Sequence, residues 1–312
     1  AKTAVEHAKE LPASAGDGNI RRQKFMARAL FAQGMVGIGT GNMPRAIEVL
    51  KEAITISRAI DDKLILGYSL ENYYSATGFV GDRSDDREAA ARESFYIFTH
   101  EVTDNFGLGM AYMMMARIAA EKGDENERLL YFGKLKNLIR ETPGSFQVGL
   151  FYLGMGMDET VRGNQATAKK YFEDGLVIFK HTNSLNFQLV LKGEIGHVER
   201  RTGNLGQARL IYQETLRGWQ QLGNRSAIAH QLECFGFLAI HAEEPQSAVK
   251  IFGAAEALRD KIQAPMTDYE RVEYDEAIAQ VRSMLSQVEF SKIWIEGRAM
   301  TIERAVEFAL LQ

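Results

Sequence analysis

The side chains with the most chemical promise lie in the C-terminal half of the chain. His197, Arg200 and Arg201 share one helical stretch, and His230, Glu233 and His241 follow on another. Imidazoles and a carboxylate converging in one pocket could move protons, and such groups mark a site when the pocket displaces their pKa values. Arginines favour carboxylates and phosphates, which a planar fork of donors can grip. Set against both readings is ordinary solvated helix surface. Cys234 shares a helical turn with His230 and Glu233. A metal site would need a further ligand and a recurring ligand spacing, which the sequence does not suggest. A Cys–His nucleophile would need a third group to orient it, and spacing alone does not reveal one. Cys234 therefore reads as a buried structural thiol, and we assign no catalytic, metal-binding or cofactor-binding residue and expect no enzyme. The run Gly37-Ile38-Gly39-Thr40-Gly41-Asn42 imitates a phosphate loop, but no strand precedes it and the lysine of such loops is missing.

The elements that must position these residues announce themselves by period. A small residue stands at Gly34, Ser75, Ala116, Gly156, Gly196 and Gly236, in steps of 41, 41, 40, 40 and 40. Seven residues after each comes a polar break: Gly41-Asn42, Asp82-Arg83, Gly123-Asp124, Gly163-Asn164, Gly203-Asn204 and Glu243-Glu244. Between breaks the apolar residues follow helical spacing, as in Ile47, Leu50 and Ile54, and no segment alternates like a strand. A fixed period of this length means stacked units. Each unit reads as two helices, the first closed by the break and the second opened by it. Asn42, Asp124, Asn164 and Asn204 are suited to capping the second helix, and the glycine before each to a left-handed residue that ends the first. The hairpins fall at about 18–60, 61–103, 104–142, 143–183, 184–223 and 224–263. Residues 1–17 read as the tail of a preceding repeat helix. Residues 264–312 break the period and read as a capping segment, with a Thr267–Glu270 capping box and helices to about 286, 288–297 and 302–311. The predicted fold is all-α: a right-handed superhelical solenoid of antiparallel helix pairs with a C-terminal helical cap.

Composition narrows the function classes. The chain has 312 residues, net charge −4 and 46% hydrophobic residues. That is no electrostatic footprint for nucleic acid or an anionic membrane. One cysteine permits no internal disulfide, which fits a reducing cytoplasm. No apolar run reaches a membrane span. The chain opens at Ala1-Lys2-Thr3 in helical pattern without an initiator methionine, which reads as a piece of a longer protein. Trp219 and Trp294 read as core anchors.

The pattern resembles the tetratricopeptide repeat in a form of about 40 residues, in which a small residue of the first helix is followed by alanines of the second. Gly34/Ala46/Ala53 and Gly236/Ala248/Ala255 match it, and Gly156/Ala168 and Gly196/Ala208 match in part. Arg87 and Arg128 replace the first alanine in the second and third repeats, where a splayed or shifted hairpin is expected. The stretch Phe252-Gly-Ala-Ala-Glu-Ala-Leu-Arg259, with Ala264-Pro265, Trp294, Glu296-Gly297-Arg298 and Ala305-Val306, resembles the tail that ends the repeat region of MalT-like and LuxR-type bacterial regulators and related predicted ATPases. That resemblance implies a sensor and scaffold domain downstream of a nucleotide-binding STAND module, with no nucleotide motif of its own.

In that family the first helices line the concave side. Counting from each small residue, Phe31, Met35, Asn72, Phe79, Met110 and Met113 then face inward, as do Arg117, Leu153 and Met157. The last two repeats offer His197, Arg200, Arg201, His230, Glu233, Phe237 and His241. The expected groove is Met- and aromatic-rich at one end and basic at the other. Methionine surfaces adapt to varied apolar partners. The expected ligand is an amphipathic or acidic peptide from a partner protein or from elsewhere in the parent chain, or a small anionic effector. A stand-alone scaffold is the alternative. The competing reading of the methionines is stacking contact inside the fold.

Overall fold

The computed structural model describes residues 17–39, 42–82, 84–262, 264–266 and 268–312, and within them it is helical, without a strand. The fold class is thus all-α, made of antiparallel helix pairs. The chain forms two compact units, Ala1–Pro143 and Gly144–Gln312. The expected N-terminal tail, residue 17 apart, lies outside the described residues, as do Gly41 and Thr267.

The first unit holds α1 (Asp17–Gly39), α2 (Met43–Ala59), α3 (Lys63–Phe79), α4 (Asp85–Tyr96), α5 (Asn105–Glu121) and α6 (Glu125–Glu141). Helix α2 shows how sequence makes these elements. Pro44 sits in the first turn, where its missing N–H costs nothing. Asn42 caps the helix by accepting from the Arg45 N–H, and Ala46, Val49, Leu50, Ala53 and Ile54 form one buried stripe. Asp124 caps α6 in the same way through the Glu127 N–H. At the end of α4 a π-helical segment, Ile97–Glu101, swings Phe98 between Gly67 and Gly107; a Cβ on Gly107 would lie 2.2 Å from its ring.

The two departures from the alanine pattern are absorbed by packing. The Arg87 guanidinium lies 3.9 Å over the Tyr74 ring, donates to the Tyr74 carbonyl at 3.2 Å and pairs with Glu121. Gly78 makes the room, since a Cβ there would stand 2.9 Å from the guanidinium. Arg128 stacks over Phe132 at 5.0 Å and pairs with Glu125. Both arginines are buried with their charge answered.

The second unit holds α7 (Phe146–Val161), α8 (Gln165–His181), α9 (Leu185–Arg201), α10 (Leu205–Leu222), α11 (Arg225–His241), α12 (Pro245–Ile262), α13 (Asp268–Met284), α14 (Gln287–Arg298) and α15 (Ile302–Leu311). The glycines before the second helices are left-handed as expected: Gly163 at φ +79° and Gly203 at φ +84°. Asn164 and Asn204 stand at the cap positions, but their side chains turn back to Glu159 and Glu199, each at 2.7 Å, and leave the helix N–H groups alone. The periodic glycines are points of close approach. Sixteen residues after Gly34, Gly156, Gly196 and Gly236 stand Leu50, Phe172, Tyr212 and Phe252. A Cβ on these glycines would lie 2.6, 2.3, 2.6 and 2.5 Å from those side chains, in the same order.

The last three helices do two different jobs. Helix α14 takes the next place in the stack beside α12, where backbones touch: a Cβ on Gly297 would lie 2.1 Å from the Lys250 carbonyl oxygen. Arg298 ties that seam to Glu256 and Asp260 at 2.7 and 2.8 Å. Helix α15 buries Ala305, Val306 and Ala309 in the core of the last repeats. Helix α13 leaves the stack and reaches back over the first helices of the last two hairpins, α9 and α11.

Candidate functional site

Helices α9 and α11 are the first helices of consecutive hairpins. Each buries most of its circumference: α11 through Ile228, Leu232, Phe235 and Leu238, and α9 through Leu191, Ile195 and Val198. The remaining stripe of each, spaced at three and four residues, holds His197, Arg200 and Arg201 on α9 and His230, Glu233 and Phe237 on α11. The structure brings these six together. Arg200 lies 4.8 Å over the Phe237 ring, and His230 Nε2 stands 3.2 Å from His197 Nε2.

This stripe is not open. Acidic residues of α13 meet it at two points. Glu273 accepts from Arg201 at 2.9 Å and pairs also with Arg200. Glu270 lies 3.1 Å from His230 Nδ1 and 3.8 Å from Arg259. Beneath them Arg259 of α12 grips Glu233 with two hydrogen bonds, 2.6 and 2.8 Å, both partners buried. Burial alone would raise Glu273, but the Arg200 and Arg201 guanidinium groups outweigh it and hold its carboxyl below the usual range. The basic end of the stripe is thus met by an acidic helix of the same chain.

The two imidazoles are shifted in opposite directions. Burial, then the neighbouring His230, Arg200 and Arg201, push His197 well below the usual imidazole value, so it is neutral at pH 7. Burial works against the charge on His230 too. Cys234 and the Glu233 and Glu270 carboxylates outweigh it, and its pKa lies well above the usual value. His197 Nδ1 reaches the buried Tyr212 hydroxyl at 2.9 Å. Cys234 is fully buried and hydrogen bonds the His230 carbonyl at 3.2 Å. Among the described residues, His197, His230 and Cys234 are the group of possible metal ligands whose ligand atoms lie within 4.8 Å of one another.

The other expected inward residues lie elsewhere. His241 is exposed at the end of α11. Met157 of α7 is 50% exposed. In the first unit Phe79 is exposed at the end of α3, and Met110 and Met113 are half-buried on α5, where Arg117 is exposed and pairs with Glu121 at 3.5 Å. Met114 and Met115 are core. Arg200 and Glu233, expected on a groove surface, are buried, because α13 and Arg259 cover them.

Sequence reasoning missed Tyr212, Arg259, Glu270 and Glu273. Their signal was available in part: Glu270 and Glu273 are carboxylates one helical turn apart, the spacing that matches two basic groups on a neighbouring pair of helices.

Comparison with known proteins bears on the fold. The tetratricopeptide repeat model matches residues 27–60. No curated protein matches the chain. Among solved structures, a Rap protein complexed with Competence and Sporulation Factor superposes with a TM-score of 0.60 at 13% identity, over 95% of this chain and 82% of that one. BtubC (BKLC) from P. vanneervenii gives 0.56 at 14%, over 72% and 94%. The STAND protein with a tetratricopeptide repeat sensor, PH0952 from Pyrococcus horikoshii, gives 0.51 at 15%, over 92% and 41%. At such identities the likeness is one of fold.

Proposed function

We propose that this chain is a non-catalytic interaction and sensor module of a larger signal-transduction protein, one that carries a STAND-type ATPase and belongs with the MalT-like and LuxR-type regulators. Its ligand is an acidic or amphipathic protein segment, taken on the stripe of α9 and α11. The observation that carries this reading is the seating of α13 there. Two carboxylates one turn apart, Glu270 and Glu273, answer Arg200, Arg201, His230 and Arg259. The face can hold an acidic helix because it holds one. A competing segment would exchange for α13, and the exchange is the signal: a ligand shifts such a balance by its differential affinity for the open and covered states. The likeness to PH0952, a STAND protein with a tetratricopeptide repeat sensor, and to a Rap protein complexed with Competence and Sporulation Factor supports a sensing role on this fold. A free-standing scaffold is the second reading, and the match over 94% of the BtubC chain shows that this fold can make up nearly the whole of a solved chain.

Hydrogen–deuterium exchange of the full chain tests the exchange of occupants. Glu270→Ala with Glu273→Ala is expected to speed exchange throughout 268–284 while α9 and α11 keep their protection. Unchanged protection of α13 would show that the two carboxylates do not hold it, and the proposal would fall.

A further inference from the structure

We propose that His197 Nε2, His230 Nε2 and Cys234 Sγ form a binding site for a borderline-soft divalent transition-metal ion, Zn2+ by preference. The inference does not depend on α13 being displaceable.

The geometry of the two imidazoles comes first. Their Nε2 atoms face one another at 3.2 Å. Two nitrogens bound to one tetrahedral zinc at about 2.0–2.1 Å stand about 3.3 Å apart. The pair therefore already has the separation that one ion demands. Both outer nitrogens have polar neighbours. His197 Nδ1 meets the Tyr212 hydroxyl at 2.9 Å; His230 Nδ1 lies 3.1 Å from Glu270 and 3.6 Å from Glu233, within ion-pair reach but without the alignment of a hydrogen bond. Metal-bound histidines are oriented in this way, with the second ring nitrogen held by a carboxylate or another polar partner so that the first points at the ion.

Cys234 supplies the third ligand. It follows His230 by four residues on α11, so both side chains leave the same face, and the three ligand atoms lie within 4.8 Å of one another. Around one zinc a nitrogen and a sulfur stand about 3.5 Å apart. To close that gap the thiol would give up its hydrogen bond to the His230 carbonyl. A water completes the shell, as it does in zinc sites with three protein ligands. The surrounding cations do not repel the ion unopposed, since Arg259 is paired with Glu233 and both Arg200 and Arg201 with Glu273.

Donor chemistry selects the ion. Two imidazoles and a thiolate suit zinc and its transition-metal neighbours, whereas calcium and magnesium take oxygen ligands. The whole chain has six histidines and one cysteine. Two of the six and the single cysteine meet here, although α9 and α11 are separated by the whole of α10. The His230 side chain keeps 36% of its exposure, which leaves a way in.

The single cysteine makes the test direct. The full chain, stripped with a chelator, is titrated with Co2+, then with Zn2+. The expected result is one equivalent of Co2+ with four-coordinate d–d absorption and a thiolate-to-cobalt charge-transfer band, displaced by stoichiometric Zn2+. Only Cys234 can give that band. Cys234→Ser is expected to abolish it and, with His197→Gln, to weaken Zn2+ binding at least about tenfold, with helicity unchanged by circular dichroism. Absence of the band in the unmutated chain at one equivalent overturns the proposal and leaves the two rings sharing a proton. So does a band that survives Cys234→Ser. Should a variant unfold, the unmutated chain decides alone.

Discussion

Glu273 on α13 accepts a hydrogen bond from Arg201 on α9 at 2.9 Å, across 72 residues of sequence. With the Arg200 pair beside it, this contact fastens an acidic helix to the stripe that the repeat pattern marks as inward-facing. Charge reversal tests the fastening. Glu273→Lys is expected to release α13 and to speed its cleavage in limited proteolysis at least severalfold, while Arg201→Glu with Glu273→Lys restores protection. A partly exposed pair of this kind is worth about 1 kcal/mol or less, so global stability should change little.

Beneath that contact Arg259 and Glu233 form a buried bidentate pair. Removing one member strands a buried charge. Arg259→Met is expected to cost about 3–5 kcal/mol in chemical denaturation. Arg259→Met with Glu233→Leu should recover most of that loss, and a double variant as weak as the single one would show that the pair is not the source.

Glycines in the helices divide into two kinds. Gly236 is pressed against Phe252, with a prospective Cβ 2.5 Å from the ring, whereas Gly193 of α9 has open space. Gly236→Leu is expected to destabilise by roughly 1–3 kcal/mol or more through overpacking. Gly193→Ala is expected to stabilise by up to about 1 kcal/mol, the ordinary helix preference for alanine. Equal melting temperatures for the two variants would contradict the packing described for the repeat glycines.

Much of this was legible in the sequence, and the reason is locality. Breaks, caps and helix faces are set by neighbours within a few residues, so Asn42 and Asp124 cap as expected and the glycine before each Asn turns left-handed at 163 and 203. The stripe of His197, Arg200, Arg201, His230, Glu233 and Phe237 followed from one period and one helical repeat. What was not legible depends on distant partners. Asn164 and Asn204 carry the cap residue type, yet Glu159 and Glu199 of the preceding helix draw their side chains away. In the capping segment α14 and α15 pack on the stack, whereas α13 crosses the face, where Glu270 and Glu273 meet cations, while Tyr274, Ala277 and Val281 join the apolar core of the last repeat. The Cys234–His197 encounter joins helices a whole repeat apart, so the spacing of either residue could not disclose it.

Burial gives the first unit a pH signature. Glu71 of α3 is buried, its Oε2 without a hydrogen-bond partner, and burial, aided by Asp104, pushes its pKa up to about 8. The unfolded chain releases that proton near the ordinary glutamate value, the folded chain only near 8. Between those two pH values the folded state binds more protons, so stability falls as pH rises through the window. Glu71→Gln is expected to remove this fall, raising the melting temperature at pH 9 relative to the unmutated chain and changing it little at pH 4.5. A parallel pH profile for both proteins would place the titration elsewhere.

The central claim is that the face of α9 and α11 receives an acidic helix and that α13 is its resident. The most direct measurement titrates a fluorescent peptide of residues 268–284 into the full chain and follows anisotropy. The account expects no binding to the unmutated chain, whose face is occupied, and saturable, salt-sensitive binding to the Glu270→Ala, Glu273→Ala variant, lost on adding Arg200→Ala and Arg201→Ala. Failure of the peptide to bind the opened variant, or binding indifferent to the two arginines, would contradict it.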